Sequence, residues 1–283
     1  MGAEQSVPAA PPPRRRWWRR TRLTLRWLVA AYLLTVLAGV PFAWPFDYFV
    51  NRGAVEFHAE LQLPADGARR VVVLQHGMWR SPLAMLRIER TLAAHGYEVH
   101  NLGYPSTAAR LEDHTARLQA SVEALWARGP IDDLSFVGHS MGGLVIQEYL
   151  RSPRARPVAR CVYIATPHRG AVLADLRKHW FLFQWAMGDQ GALQLSPGDP
   201  FHRQPIPRQA ASGTIQGDLG AGNPTIPGPD DGTVAVGEAT FAGAADSITL
   251  PLGHTAIAYD RVTAHQVLVF LRTGAFAKPG SMR

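Results

Sequence analysis

Short runs of β-branched and aliphatic residues alternate with helical patterns from Arg69 onward, and this alternation limits the fold more than any other feature. The order is typical of a parallel sheet whose strands are joined by crossover helices. We therefore predict an α/β fold, with a mostly parallel central sheet and helices on both faces. The expected strands are 71–74, 97–102, 134–137, 159–165, 213–216 and 247–250, and the expected helices are 81–95, 111–127, one ending at 150, and 255–271.

The basic residues are unevenly distributed along the chain. Residues 1–50 contain seven arginines against two acidic residues, whereas the rest of the chain contains 22 basic and 20 acidic residues. A basic tail favours contact with anionic lipid, and a nucleic-acid-binding face is not expected. The single cysteine, Cys161, excludes an intrachain disulfide and a metal site built from cysteines.

The arginines precede twenty uncharged residues, 27–46, a length that matches a transmembrane helix. Pro41 and Pro45 interrupt this run, so a cleaved export signal or a segment lying on the membrane surface stays open. By the positive-inside rule, the tail 1–26, which we expect to be disordered, stays in the cytoplasm. The domain 51–283 is then membrane-anchored on the extracytoplasmic side, in a bacterium the periplasmic face of the inner membrane.

One motif predicts a catalytic serine. Gly138, Ser140 and Gly142 form the pattern G-x-S-x-G at the junction of an expected strand and an expected helix. A serine on such a tight turn is exposed as a nucleophile, and side chains at the glycine positions would collide with neighbouring elements. The charge that develops on an attacked carbonyl requires two backbone N–H donors. Met141, which follows the serine, and Met78, in the loop after the first strand, are the candidates.

A serine hydroxyl is a weak nucleophile at neutral pH, so a histidine must accept its proton and a carboxylate must orient that histidine. His254 is the candidate base, because it lies in a short glycine-containing loop between the last strand and the last helix. Asp230 and Asp231 are both candidate acids in a turn expected to lead into a strand, and Asp218 and Asp246 are further alternatives. We favour Asp231, whose spacing to Val234 places it at the strand end.

Five motifs together resemble the α/β-hydrolase superfamily, in particular small bacterial lipases and esterases. They are H-G-M at 76–78, G-H-S-M-G-G at 138–143, T-P-H-R-G at 166–170, D-G-T-V at 231–234 and G-H-T at 253–255. The resemblance covers about 71–276, within an expected domain core of about 70–276, and implies hydrolysis of carboxylic esters through an acyl-enzyme. It implies Ser140, His254 and Asp231 as the catalytic triad, Met78 and Met141 as oxyanion donors, and no metal or cofactor.

The same resemblance leaves several alternatives open. Thioesterase, amidase or acyltransferase chemistry would use the same triad, and a catalytically silent scaffold tethered to the membrane is a different class of function. The expected partners are a small-molecule or lipid acyl ester and the membrane, and the oligomeric state stays open. Residues 171–210 form a cap-like excursion from the sheet. Its aromatic residues could line an acyl pocket, contact a membrane or form the core of an inserted helix; they are Trp180, Phe181, Phe183 and Trp185.

Overall fold

The computed structural model describes residues 54–179, 193–220 and 222–278. The expected tail and transmembrane segment, 1–46, lie outside these ranges, and so do the four aromatic residues of the cap-like excursion. Within the described ranges, no helix combines the length and the apolar character needed to cross a membrane.

Six strands form one sheet in the described part of the chain, and every neighbouring pair is parallel. The strands are β1 (Arg70–Gln75), β2 (Glu98–Leu102), β3 (Asp133–His139), β4 (Arg160–Ile164), β5 (Ala211–Gly217) and β6 (Asp246–Leu250). Their order across the sheet is β2-β1-β3-β4-β5-β6. The predicted parallel sheet is therefore confirmed. Because all strands are parallel, the loops after their carboxyl ends meet at one edge.

The central strands β1, β3 and β4 are buried after their first residue, and β1 in particular is a continuous apolar run. The edge strands β2 and β6 are partly exposed and mixed in polarity. The α-helices whose bounds lie within the described ranges are α1 (Leu86–Ala94), α2 (Leu111–Trp126), α3 (Met141–Arg151), α4 (Val172–Arg177) and α5 (Arg261–Thr273). Alternate side chains of β1 enter two separate cores. Val71 and Val73 pack with α2 and α3, whereas Val72 and Leu74 pack with α1 and α5. Helices therefore cover both faces, as the sequence predicts.

Two helices differ from the sequence prediction at their starts: the first starts at Pro82 after Ser81 as expected, but as a 3-10 turn, and the predicted start of the last was wrong. The first opens as a 3-10 turn, Pro82–Met85, before α1, and the Ser81 hydroxyl has no hydrogen-bond partner among the described residues. The last helix was expected from residue 255. Its α-helical part starts at Arg261 because Asp260 Oδ1 accepts a hydrogen bond from the Val262 amide at 2.7 Å and caps it.

The described residues of the segment 171–210 contribute no strand to the sheet. They form α4 and a 3-10 turn, Pro200–Arg203. The side chain of Gln194 ties this segment to the start of α2, since its Oε1 accepts a hydrogen bond from the Leu111 amide at 2.7 Å. The excursion from the sheet is thus joined to the face that α2 and α3 cover.

Candidate active site

Ser140 occupies a strained turn between β3 and α3. Its φ is +53° and its ψ is −126°, a combination that residues other than glycine rarely adopt. The Ser140 amide donates a hydrogen bond of 2.8 Å to the Ile164 carbonyl of β4, which holds the turn in place. Such a turn presents the serine hydroxyl at the carboxyl edge of the sheet.

The glycines of this turn are required by space. A Cβ atom on Gly142 would lie 2.2 Å from the Gln75 carbonyl oxygen, and one on Gly138 would lie 2.6 Å from the Gly143 amide nitrogen. Both obstacles are backbone atoms and do not move aside as a side chain does. The absence of side chains at these positions therefore lets α3 start directly against β1 and β3.

Three side chains that are distant in the sequence form a hydrogen-bonded line at this edge. His254 Nε2 lies 3.0 Å from Ser140 Oγ, and His254 Nδ1 lies 2.7 Å from Asp231 Oδ2. The Asp231 side chain is 1% exposed and that of His254 is 15% exposed. A buried carboxylate on Nδ1 keeps the proton there, so Nε2 is free to accept the hydroxyl proton of the serine.

The two adjacent aspartates contact different partners. Asp231 Oδ1 accepts hydrogen bonds from the Thr233 and Val234 amides at 2.9 and 2.7 Å, while its Oδ2 faces His254. Asp230 points elsewhere, and its Oδ1 accepts hydrogen bonds from the Asn223 and Gly232 amides at 2.9 and 2.7 Å. Asp230 therefore holds the turn together, and Asp231 alone of the pair reaches the histidine.

The strand expected after these aspartates does not form in the described residues. A single antiparallel bridge joins Asp230 and Ala235 instead. The physical reason is that the Asp231 carboxylate takes the amides of Thr233 and Val234, which are then lost to a strand ladder. The strand prediction was wrong, although the acid it placed does contact His254.

The two methionines expected as oxyanion donors lie next to Ser140 in sequence or in space. Met141 is the first residue of α3, and its amide is at the positive end of that helix. The loop 76–78 packs on the turn, because a Cβ atom on Gly77 would be 3.0 Å from Ser140 Cβ. In the described ranges, neither the Met78 amide nor the Met141 amide donates a hydrogen bond to the protein. Both N–H groups are therefore available to a ligand.

One residue of the site was missed by the sequence reasoning, namely His139. Its side chain is buried, and its Nε2 lies 2.9 Å from the carbonyl oxygen of His254. Burial holds the pKa of His139 well below its ordinary value, so the ring is neutral and donates its Nε2 proton to that carbonyl. His139 thereby positions the loop that carries His254. Its place beside Ser140 is the one signal in the sequence.

Two further histidines of the quoted motifs are buried, and neither contacts Ser140. Burial lowers the pKa of His76 to about 4 and that of His168 to about 3. His76 Nδ1 lies 2.9 Å from the Gly77 carbonyl oxygen, and His168 is hydrogen-bonded to Gln147. Both are neutral at pH 7, and they contribute to packing around the site.

We expect the free energy of unfolding to fall between pH 7 and pH 5. The unfolded chain protonates histidine near a pKa of about 6.5, whereas the folded pKa of His76 and His168 is about 4 and about 3. The unfolded state therefore binds more protons as pH falls below about 6.5, and each histidine costs about 2 kcal/mol at pH 5. Urea unfolding at the two pH values measures the loss.

A matched pair of variants tests this origin of the pH dependence. His168→Gln is expected to lose its share of about 2 kcal/mol, whereas His179→Gln, at an exposed position, keeps the full dependence. An unchanged pH dependence in His168→Gln would contradict the assignment.

A parallel sheet with a Ser-His-Asp line at its carboxyl edge defines a class, the α/β hydrolases. Residues 71–275 match the sequence profile of the alpha/beta hydrolase family. The match spans more than half of the chain, and the chain belongs to this family. No curated protein sequence matches the chain significantly. Within the described residues, no group of three or more His, Cys, Asp or Glu side chains is placed to bind a metal ion.

Solved structures share the fold at low identity. Bacillus licheniformis lipase BlEst2 in its propeptide form has a TM-score of 0.60 at 22% identity, covering 77% of this chain and 53% of that one. The mature form has a TM-score of 0.55 at 20% identity, covering 77% and 94%. Aspergillus fumigatus lipase B has a TM-score of 0.53 at 13% identity, covering 77% and 58%. This chain thus aligns with about half the length of the propeptide form.

Proposed function

We propose that this protein is a serine hydrolase that cleaves carboxylic esters through an acyl-enzyme intermediate. The observation that carries the proposal is the line from Asp231 through His254 to Ser140, with distances of 2.7 and 3.0 Å. Ser140 is the nucleophile, His254 is the general base and then the general acid, and Asp231 orients the imidazole. The names of the solved neighbours, two forms of a bacterial lipase and a fungal lipase, support ester substrates.

The first half of the reaction forms the acyl-enzyme. His254 Nε2 takes the Ser140 hydroxyl proton while Oγ attacks the carbonyl carbon of the ester. The carbonyl electron pair moves onto oxygen, where the Met78 and Met141 amides stabilise the negative charge. When the carbonyl re-forms, the bond to the alkoxy group breaks. His254 gives its proton to the departing alkoxy oxygen, so an alcohol leaves.

Water completes the cycle by the same steps. His254 Nε2 takes a proton from a water molecule, whose oxygen attacks the acyl carbon bound to Ser140. The tetrahedral intermediate collapses, the bond from carbon to Ser140 Oγ breaks, and His254 returns the proton to that oxygen. The products are a carboxylic acid and the starting enzyme. The buried Asp231 carboxylate stabilises the imidazolium that forms in each half.

A fluorophosphonate probe and a series of p-nitrophenyl esters of increasing chain length test this function. The folded wild type is expected to hydrolyse the esters, and peptide mass spectrometry is expected to find the label on Ser140. The preferred chain length will show whether the segment 171–210 forms a long acyl pocket. Faster turnover of thioesters or anilides would shift the proposal to thioesterase or amidase. A folded protein that neither labels nor hydrolyses would favour the silent scaffold.

We also propose that residues 27–46 anchor the protein in a membrane, with the hydrolase domain on the extracytoplasmic side. Seven arginines followed by twenty uncharged residues support this arrangement. The full chain expressed in bacteria is expected to stay in the membrane fraction after a sodium carbonate wash, and a variant that lacks residues 1–46 to be released. Added protease should reach the domain in spheroplasts. Release of the full chain by carbonate would contradict the anchor.

A further inference from the structure

A second site lies at the other end of α3 from Ser140. A cavity of about 600 Å³ is bounded there by Arg151, the last residue of the helix, together with Arg169 and Arg208. Because α3 rises about 1.5 Å per residue over its eleven residues, Arg151 is about 16 Å along the helix from Ser140. None of the residues that line the cavity is Ser140, His254 or Asp231.

The three arginines of this cavity come from three different parts of the chain. Arg151 ends α3, Arg169 belongs to the loop after β4, and Arg208 precedes β5. No acidic residue is among those that line the cavity. The adjoining hollow, which shares Arg169, contains Asp246, but that carboxylate pairs with Lys278 Nζ at 2.6 Å. Arg151 pairs with Glu148 at 2.9 Å, so Arg169 and Arg208 supply the positive charge that attracts anions to the cavity.

The hydrogen bonds within the protein leave guanidinium donors unused. Arg151 is held by the protein itself, because its Nη1 donates to Glu148 at 2.9 Å, its Nε donates to the Pro205 carbonyl at 3.3 Å, and its guanidinium lies over the Phe201 ring. Arg208 Nη2 donates to the Ala242 carbonyl at 2.9 Å. For Arg169, which is exposed, the described part of the chain provides no hydrogen bond or ion pair. The exposed Arg169 and Arg208 therefore retain donors that an external acceptor can reach.

The chemistry of the walls narrows the ligand to a phosphate ester. A carboxylate matches a single guanidinium fork, whereas a phosphate group presents several oxygens that can accept from two separate guanidinium groups. Pro205, Ile206, Pro207 and Phe241 form an apolar wall beside the arginines. We propose that the cavity binds a phosphate ester, with its oxygens on the guanidinium groups of Arg169 and Arg208 and its organic part against this wall. The ester is either a soluble metabolite or a phospholipid head group.

The first test is a calorimetric titration of the full chain with glycerol 3-phosphate. The double variant Arg169→Gln/Arg208→Gln is expected to bind at least about tenfold more weakly than the wild type, because two charge-assisted contacts are lost. The control is Arg117→Gln, an exposed arginine of α2 outside the cavity, which should bind as the wild type does. Should the double variant not fold, Arg169→Gln alone replaces it.

The second arm separates a lipid head group from a soluble ligand. Vesicles of phosphatidylcholine, with and without phosphatidylglycerol, are sedimented with each variant. The basic tail attracts anionic vesicles in every variant, so the informative comparison is the double variant against Arg117→Gln. A loss specific to the double variant in either arm supports the site and identifies the source. Equal binding of the two variants in both arms, or no binding in either, overturns it.

Hydrolysis of p-nitrophenyl acetate is an independent readout in these variants. The cavity lies away from Ser140, so the ester rates of the double variant and of Arg117→Gln are expected to equal that of the wild type. The binding measurements therefore test the phosphate site independently of the proposed esterase activity.

Discussion

Replacing Ser140 with alanine is expected to slow the hydrolysis of p-nitrophenyl esters by about 10⁵-fold or more and to abolish fluorophosphonate labelling. Without Oγ, no covalent acyl-enzyme forms, and only oxyanion stabilisation and substrate binding remain to assist direct attack by water. Steady-state rates and gel-based detection of the probe measure both effects. A variant that keeps more than about a hundredth of the wild-type rate would contradict the role of Ser140 as nucleophile.

The fold should survive this substitution, which makes the comparison clean. The Ser140 hydroxyl contacts His254, and the strained backbone is held by the Ser140 amide, which alanine retains. Ser135→Ala is the matched control, because Ser135 is a buried serine of β3, the strand that leads to Ser140, and its hydroxyl donates to Asp133 at 2.9 Å. Its ester hydrolysis should equal that of the wild type. Urea unfolding verifies that both variants are folded.

Replacing Asp231 with asparagine is expected to lower kcat by about 10⁴-fold, since an amide at this position favours the wrong tautomer of His254. Asp230→Asn should leave kcat within about a factor of three and lower the free energy of unfolding by about 1 kcal/mol. The reason is that Asp230 accepts hydrogen bonds from the amides of Asn223 and Gly232 and does not reach the imidazole. The two carboxylates are adjacent in the chain, so each variant serves as the other's control.

Steady-state kinetics of both aspartate variants across pH tests this division. A larger kcat loss in Asp230→Asn than in Asp231→Asn would reverse the two roles. A fall in stability without a fall in kcat for Asp231→Asn would reduce Asp231 to a residue that merely holds its turn.

Local sequence pattern was sufficient to place the sheet and the serine. The four apolar residues 71–74 predict a strand buried on both faces, because a continuous apolar run of this length has few other stable environments. The glycines around Ser140 mark its turn because only glycine avoids a collision with backbone there. The positions of the strands, the helix faces and the serine turn depend on residues close in sequence, so short-range rules are sufficient to predict them.

Contacts between distant segments were decided by the tertiary structure. Asp230 and Asp231 are adjacent residues of the same type, and the path of the loop after β5 determines which of them faces His254. The bond from His139 to the His254 carbonyl spans 115 positions. The three arginines of the second cavity come from separate elements. Packing brings such side chains together across long loops, and their positions depend on the whole chain; no local periodicity encodes them.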